Sequence, residues 1–185
     1  MLQLSGEVPG EGRIRRPPIP PQPPLSPQSG DPDPISSDEV DVYKLGALLG
    51  VTEGPGTLLI KGPAARQAAE LTGLIGGVEV VGLEPALVEE EETEGVSRMV
   101  SQPGIPFSSS TFMGILFSGE VTEMDLEEGA RVVRRLGRVA VLDASPGTVG
   151  WVEACGLEIL LREGGVLVAQ RVLAEKSPLI TLRGL

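Results

Sequence analysis

Apolar and polar positions divide the chain into a proline-rich beginning and a patterned remainder. Residues 13–34 have almost no apolar periodicity, whereas from Ser36 onward compact apolar runs alternate with helical patterns. The apolar runs predict strands at residues 57–60, 78–83, 96–100, 112–117 and 139–142. The helical patterns predict a first helix that starts near Ser37 and ends at Gly50, a second over 63–75 and a short one over 146–155.

The best-defined helix is predicted between the fourth and fifth strands. Thr122 is a candidate cap, with Asp125 three residues later, and Gly137 is a candidate stop, so the helix is expected to fill 123–136. Four arginines crowd its far end: Arg131, Arg134, Arg135 and Arg138. We interpret them as complements of the negative helix terminus, with phosphate binding as the alternative.

The last two apolar runs lie close together. Residues 157–161 and 166–170 flank a four-residue connection that contains Gly164 and Gly165, which permits only an antiparallel hairpin. Together with the preceding order of strand and helix, this predicts an α/β fold with a mostly parallel sheet flanked by helices and a C-terminal antiparallel β-hairpin.

Proline content separates the beginning of the chain from this domain. Ten of the 17 prolines lie within residues 1–34, which predicts extended polyproline II structure there. We therefore expect a proline-rich disordered or extended segment at 1–36, a folded domain at 37–175 and a C-terminal tail at 176–185. The proline-rich segment is interpreted as a tether, with contact to an unknown protein as the alternative.

Composition excludes several classes of site. The chain has no histidine and one cysteine, so Ser-His-Asp and Cys-His nucleophile pairs, His-ligated metals and internal disulfides are impossible. The acidic residues at 89–94 are expected on a solvated surface, because consecutive carboxylates diverge, and no metal site is predicted. Cys155 is expected to be unreactive, since Glu153 and Glu158 supply no positive charge.

Charge and hydropathy also narrow the partners. A net charge of −11 and only five aromatic residues disfavour nucleic acid and anionic membranes as partners. No apolar run approaches the length of a membrane span and no secretory signal is visible, so a cytoplasmic location is expected.

Over roughly residues 38–172 the chain resembles the Rossmann-like S-adenosylmethionine-dependent methyltransferases, which end in the same kind of hairpin. The similar passages are Ile105-Pro106-Phe107 with Ser110-Thr111-Phe112, residues 130–139, and the hairpin through Arg171. The resemblance implies a Rossmann-like fold and S-adenosylmethionine as the cofactor.

The cofactor loop departs from that family's pattern. Leu59 lies where the family has an acid, Lys61 replaces the first glycine, and Gly62 is the only glycine left. Met113 replaces an aspartate near the fourth strand. The loop is therefore interpreted as degenerate.

Four residues are predicted to bind the cofactor. Gly62 opens a helix whose N-terminus attracts partial negative charge, and Glu84 follows the second strand at the spacing of a ribose-binding acid. Gln102 occupies roughly the family's adenine-contacting position, and Ser118 ends the fourth strand beside the same crevice.

Two functions remain from the sequence. The first is a methyltransferase that acts on a small-molecule or protein acceptor, with no catalytic residue identified. The alternative is a catalytically inactive methyltransferase-fold binding module. A nucleotide binder of another Rossmann type is less favoured, because the chain lacks a Gly-x-Gly-x-x-Gly sequence.

Overall fold

The structure, a computed structural model, describes residues 41–84, 93–100 and 104–172. In chain order these residues form α1 (Val42–Leu49), β1 (Gly56–Lys61), a 3₁₀ helix (Pro63–Gln67), α2 (Ala68–Leu74), β2 (Val78–Leu83), β3 (Val96–Met99), β4 (Phe112–Phe117), α3 (Glu123–Val132), β5 (Val133–Val141), α4 (Pro146–Ala154), β6 (Leu157–Glu163) and β7 (Val166–Arg171).

The strands form one seven-stranded sheet in the order β3-β2-β1-β4-β5-β7-β6. The pairs among β1 to β5 are parallel, whereas β7 pairs antiparallel with both β5 and β6. The predicted α/β fold with a C-terminal antiparallel hairpin is therefore confirmed.

Both faces of the sheet are buried, which explains the continuous apolar runs. Leu58 and Ile60 belong to a core that includes α1 and α2 residues, whereas Leu59 between them belongs to a second core that includes α3 and α4 residues. Successive side chains of a strand point to opposite faces, so a strand covered on both faces needs apolar residues at every position.

Most predicted elements are confirmed, with shifted ends. β2 and β4 have the predicted bounds, and the second helix begins as a 3₁₀ turn before α2. The first helix begins at Val42 rather than near Ser37, because the Asp41 side chain accepts a hydrogen bond from the Tyr43 amide and caps the helix there.

The end of the third helix was predicted wrongly. α3 ends at Val132, and β5 begins at Val133, which pairs with Phe112 of β4. Val132 and Val133 are fully buried β-branched residues, so burial against the sheet overrides the helical pattern. Arg134, Arg135 and Arg138 consequently lie beyond the helix, and their interpretation as charges of its last turn is wrong.

The predicted domain boundaries at 36/37 and 175/176 lie outside the described residues. Within the described ranges, no helix combines the length and apolarity needed to cross a membrane.

Candidate functional site

Three strands end level with one another at the carboxyl edge of the sheet. Lys61, the last residue of β1, lies opposite Leu83 of β2 and Phe117 of β4. The predicted residues Gly62, Glu84 and Ser118 each follow one of these strand ends, so the structure places all three at this edge. Gln102 lies outside the described residues. The edge includes the switch point between β1 and β4, where ligands bind in open α/β sheets.

Gly62 is pressed against the end of β4. Its φ of 92° and ψ of −167° lie in a region that is essentially restricted to glycine. A Cβ atom at this position would lie 2.0 Å from the Ser118 carbonyl oxygen. Its amide donates to the Leu83 carbonyl at 3.1 Å. The glycine is therefore required for contact between two parts of the same chain.

The Ser118 side chain forms hydrogen bonds with the loop that follows β1. The side chain is buried, and its hydroxyl accepts from the Ala64 amide at 2.9 Å and donates to the Lys61 carbonyl at 3.1 Å. The Ser118 amide donates to the same Lys61 carbonyl at 2.9 Å. The hydroxyl thus occupies the helix N-terminus that the sequence suggested for a ligand.

A charged pair crosses the same edge. Lys61 forms an ion pair and hydrogen bond with Asp125 in the first turn of α3. Asp125 also completes the predicted capping box, since its carboxylate accepts from the Thr122 amide at 3.1 Å and its amide donates to the Thr122 hydroxyl at 3.3 Å. The Thr122 hydroxyl also donates to the Asp125 carboxylate at 2.9 Å. The sequence identified the cap but not the pair, because Lys61 is 64 residues away.

The pair also controls the ionisation of Asp125. Burial raises the pKa of this carboxyl, but the hydrogen bonds from Lys61 and Thr122 and the charge of Lys61 outweigh burial, and the pKa lies below its ordinary value of 3.8. At neutral pH Asp125 is therefore ionised, and the side chains of Lys61 and Asp125 are only 24% and 16% exposed.

The residues at the crevice do not fit S-adenosylmethionine. The amides of Gly62, Ala64 and Ala65 all donate within the chain, and Pro63 has no N–H to offer. Leu59, at the position of the family's acid, is fully buried in the core. Glu84 is half-buried at the end of β2. A ligand that needs donors from this loop would have to break hydrogen bonds that already exist.

Met113, the other residue that departs from the family's pattern, lies away from the crevice. Met113 is near the amino end of β4, and a Cβ on Gly56 would overlap its side chain, so Met113 packs at the opposite edge of the sheet. Its replacement of an aspartate therefore does not alter the crevice directly.

The surroundings of Cys155 disfavour its thiolate form. Burial raises the pKa of its thiol, and the nearby carboxylates of Glu127 and Glu123 raise it further. The carboxylates that act on it come from α3, rather than from Glu153 and Glu158 as the sequence suggested.

No protein-family model matches the chain, and no curated protein matches it. Solved structures do. A putative methyltransferase from Haloferax volcanii, in complex with a methyltransferase activator, has 14% identity and a TM-score of 0.57, and the match covers 71% of this chain and 90% of the other. Geranyl diphosphate C-methyltransferase from Streptomyces coelicolor, with Mg²⁺, geranyl diphosphate and S-adenosylhomocysteine, has 11% identity, a TM-score of 0.57 and coverage of 71% and 78%.

A third structure has a different named activity. The [4+2]-cyclase SpnF has 15% identity and a TM-score of 0.51, with 65% of this chain and 58% of the other covered. The chain thus has the Rossmann-like methyltransferase fold. At these identities the likeness extends to the fold alone, and function has to be argued from the site.

Proposed function

We propose that this chain is a catalytically inactive methyltransferase-fold binding module. The observation that carries the proposal is the Ser118 hydroxyl, which holds the Ala64 amide and the Lys61 carbonyl at the centre of the crevice. Methyl transfer from a sulfonium depends on holding the cofactor in line with an acceptor. Because the amides of this loop already donate hydrogen bonds within the chain, they are not available to hold the cofactor in that position.

The Lys61–Asp125 pair supports the same proposal. It joins the end of β1 to α3, the helix that follows β4, across the switch point between the two strands. Opening the crevice would separate two charges that are largely removed from water, which costs more than separating an exposed pair. A binding module gains rigidity from this contact, whereas a cofactor site would lose access.

Protein binding is compatible with the fold. One structural neighbour is a methyltransferase in complex with an activator protein, so a domain of this architecture can serve as one side of a protein complex. We propose the same class of role here, with the proline-rich segment as a further contact for a protein.

The second candidate is an active S-adenosylmethionine-dependent methyltransferase with a small-molecule or protein acceptor. It is favoured by Glu84, which directly follows β2 at the carboxyl edge, and by the Streptomyces coelicolor neighbour, which was solved with S-adenosylhomocysteine.

Calorimetric titration of the full chain with S-adenosylmethionine and S-adenosylhomocysteine separates the two. The binding module predicts no heat of binding and no thermal shift at about 1 mM ligand, a concentration that would detect even a weak specific site. A micromolar dissociation constant would overturn the proposal. In that case Glu84→Ala should weaken binding, whereas Glu79→Ala, which removes an exposed carboxylate from the same strand, should not.

A further inference from the structure

The amino edge of the sheet carries an irregularity that no part of the proposed function uses. In the pairing of β4 with β5, Phe112 lies opposite Val133 and Gly114 lies opposite Arg138. Residues 134–137 therefore face Met113 alone and form a bulge in β5. Bulges redirect side chains away from the regular pleat and are frequent beside functional sites.

The bulge is held in a strained conformation. Leu136 has a φ of 60°, which is unfavourable for a residue with a large side chain, and yet the residue is 57% exposed. Its carbonyl accepts from the Gln170 amide group at 2.9 Å. A Cβ on Gly137 would lie 2.6 Å from the Met113 carbonyl oxygen. Neighbouring strands thus fix a backbone that burial of Leu136 does not explain.

Two of the arginines line one cavity at this edge. The cavity, which we call the amino-edge cavity, has a volume of about 410 Å³ and is lined by Arg134, Arg138, Gln170, Leu136, Met113, Glu53 and the rest of the loop from Leu49 to Pro55. Arg138 donates to the Ala47 carbonyl at 3.2 Å and packs against Gly50, whose φ is 65°. A guanidinium has five N–H donors, so this contact orients Arg138 and leaves it donors to use.

Support of a helix terminus does not account for these side chains. Arg131 alone lies in the last turn of α3, where it pairs with Glu128 and holds the Phe107 carbonyl at 2.8 Å. Arg134 lies beyond the helix and is exposed. Arg134 therefore lies at the wall of the cavity and does not stabilise the end of α3.

We propose that the amino-edge cavity binds a phosphate group through the guanidinium groups of Arg134 and Arg138. Planar guanidiniums match the oxygens of a phosphate and form charge-assisted hydrogen bonds with it. The site goes beyond the proposed function and does not depend on it, because it lies at the opposite edge of the sheet from Gly62 and Ser118.

The phosphate comes either from free inorganic phosphate or from an organic ester. A second cavity of about 540 Å³ shares Gly50, Val51, Thr52 and Arg138 with the first and is also lined by Tyr43, Leu74 and Ile75. An ester with an apolar group could use this neighbouring surface. Inorganic phosphate would use the arginines alone.

Glu53 opposes the anion and thereby sharpens the test. Glu53 is one of the residues that line the same cavity, so the negative charge of its side chain should weaken the attraction of the arginines for phosphate. Removing that charge should strengthen binding, which a damaged or misfolded protein would not do.

The test is calorimetric titration of the full chain with inorganic phosphate and with phenyl phosphate. Arg134→Gln should weaken binding about tenfold or more, the expected effect of one charge-assisted hydrogen bond. Arg135→Gln removes the same charge from the adjacent residue, which does not line the cavity, and should change affinity less than about twofold. Glu53→Gln should tighten binding by roughly two- to fivefold.

Two results would overturn the site. One is no binding of either ligand at about 10 mM, and the other is equal weakening by Arg134→Gln and Arg135→Gln, which indicates attraction to surface charge only. Tighter binding of phenyl phosphate than of inorganic phosphate supports the site with an organic ester as its ligand. Equal binding supports it with free phosphate.

Discussion

The two edges of the sheet treat their polar groups in opposite ways. At the carboxyl edge, Gly62 packs against the Ser118 carbonyl, the Ser118 hydroxyl accepts from the loop, and Lys61 pairs with Asp125, so the polar groups of the loop bond within the chain. At the amino edge, Arg134 is an exposed residue of the strained bulge and lies at the wall of a cavity. The two proposals together imply that the edge where this fold usually binds ligands serves a structural role in this chain, while a binding site lies at the opposite edge. Substitutions should therefore cost stability at the first edge and ligand affinity at the second.

The largest expected effect is that of Gly62→Ala at the carboxyl edge. The new Cβ would meet the Ser118 carbonyl at 2.0 Å in a backbone region closed to alanine. We expect a loss of about 3 kcal/mol or more in the free energy of unfolding, measured by urea denaturation.

Gly73→Ala is its matched control. Gly73 lies inside α2 with open space where a Cβ would be, so alanine there should stabilise the protein by roughly 0.5–1 kcal/mol. If Gly62→Ala did not lower the free energy of unfolding, the close contact between Gly62 and the Ser118 carbonyl would be contradicted.

A smaller effect is expected for Asp125→Asn, with a dependence on pH. The variant loses the ion pair with Lys61 and the negative charge that strengthens the hydrogen bonds from Thr122, which together should cost about 1–2 kcal/mol at pH 7. Because the pKa of Asp125 is lowered in the folded state, its stabilisation is present above the ordinary value of 3.8 and is lost as pH falls through the folded value. The stability difference between wild type and variant should therefore shrink below about pH 4.

Glu123→Gln separates this ion pair from general helix charge. It removes a carboxylate from the same first turn of α3 without removing the partner of Lys61. A change within about 0.5 kcal/mol is expected. A pH-independent difference for Asp125→Asn would contradict the assigned pair.

The sequence predicted the architecture well because local and global signals agree there. Leu58, Leu59 and Ile60 face alternate cores, so an apolar run is what a doubly covered strand requires. The order of such runs and the short hairpin connection then define the sheet.

The misplaced boundary after α3 has a different cause. Residues 123–136 carry helix signals to their end, but Val133 pairs with Phe112, a contact between residues distant in sequence. The bulge that follows therefore has no local signature other than Gly137. The sequence identified the arginine cluster, but the pairing of Val133 with Phe112 places Arg134, Arg135 and Arg138 in β5 and so determines their surroundings.

At the carboxyl edge, the sequence predicted where the residues lie but not what they contact. The level strand ends bring Gly62, Glu84 and Ser118 to one edge, as a parallel sheet requires. Whether such residues face a ligand or each other depends on ångström-scale contacts, such as that of the Ser118 hydroxyl with the Ala64 amide. Spacing along a chain does not encode this choice.

The smallest expected effect on stability is also the most informative about the amino edge. Arg134 is exposed and lies outside the helix, so Arg134→Gln should change the free energy of unfolding by no more than about 0.5 kcal/mol. Arg138→Gln, in contrast, removes the hydrogen bond to the Ala47 carbonyl and the contact with Gly50, and should cost about 1 kcal/mol. A large loss for Arg134→Gln in urea denaturation would make this arginine structural, and the contrast between the two edges would then disappear. A negligible loss means that the fold does not depend on the charge at residue 134, which is the behaviour that the proposed phosphate site requires.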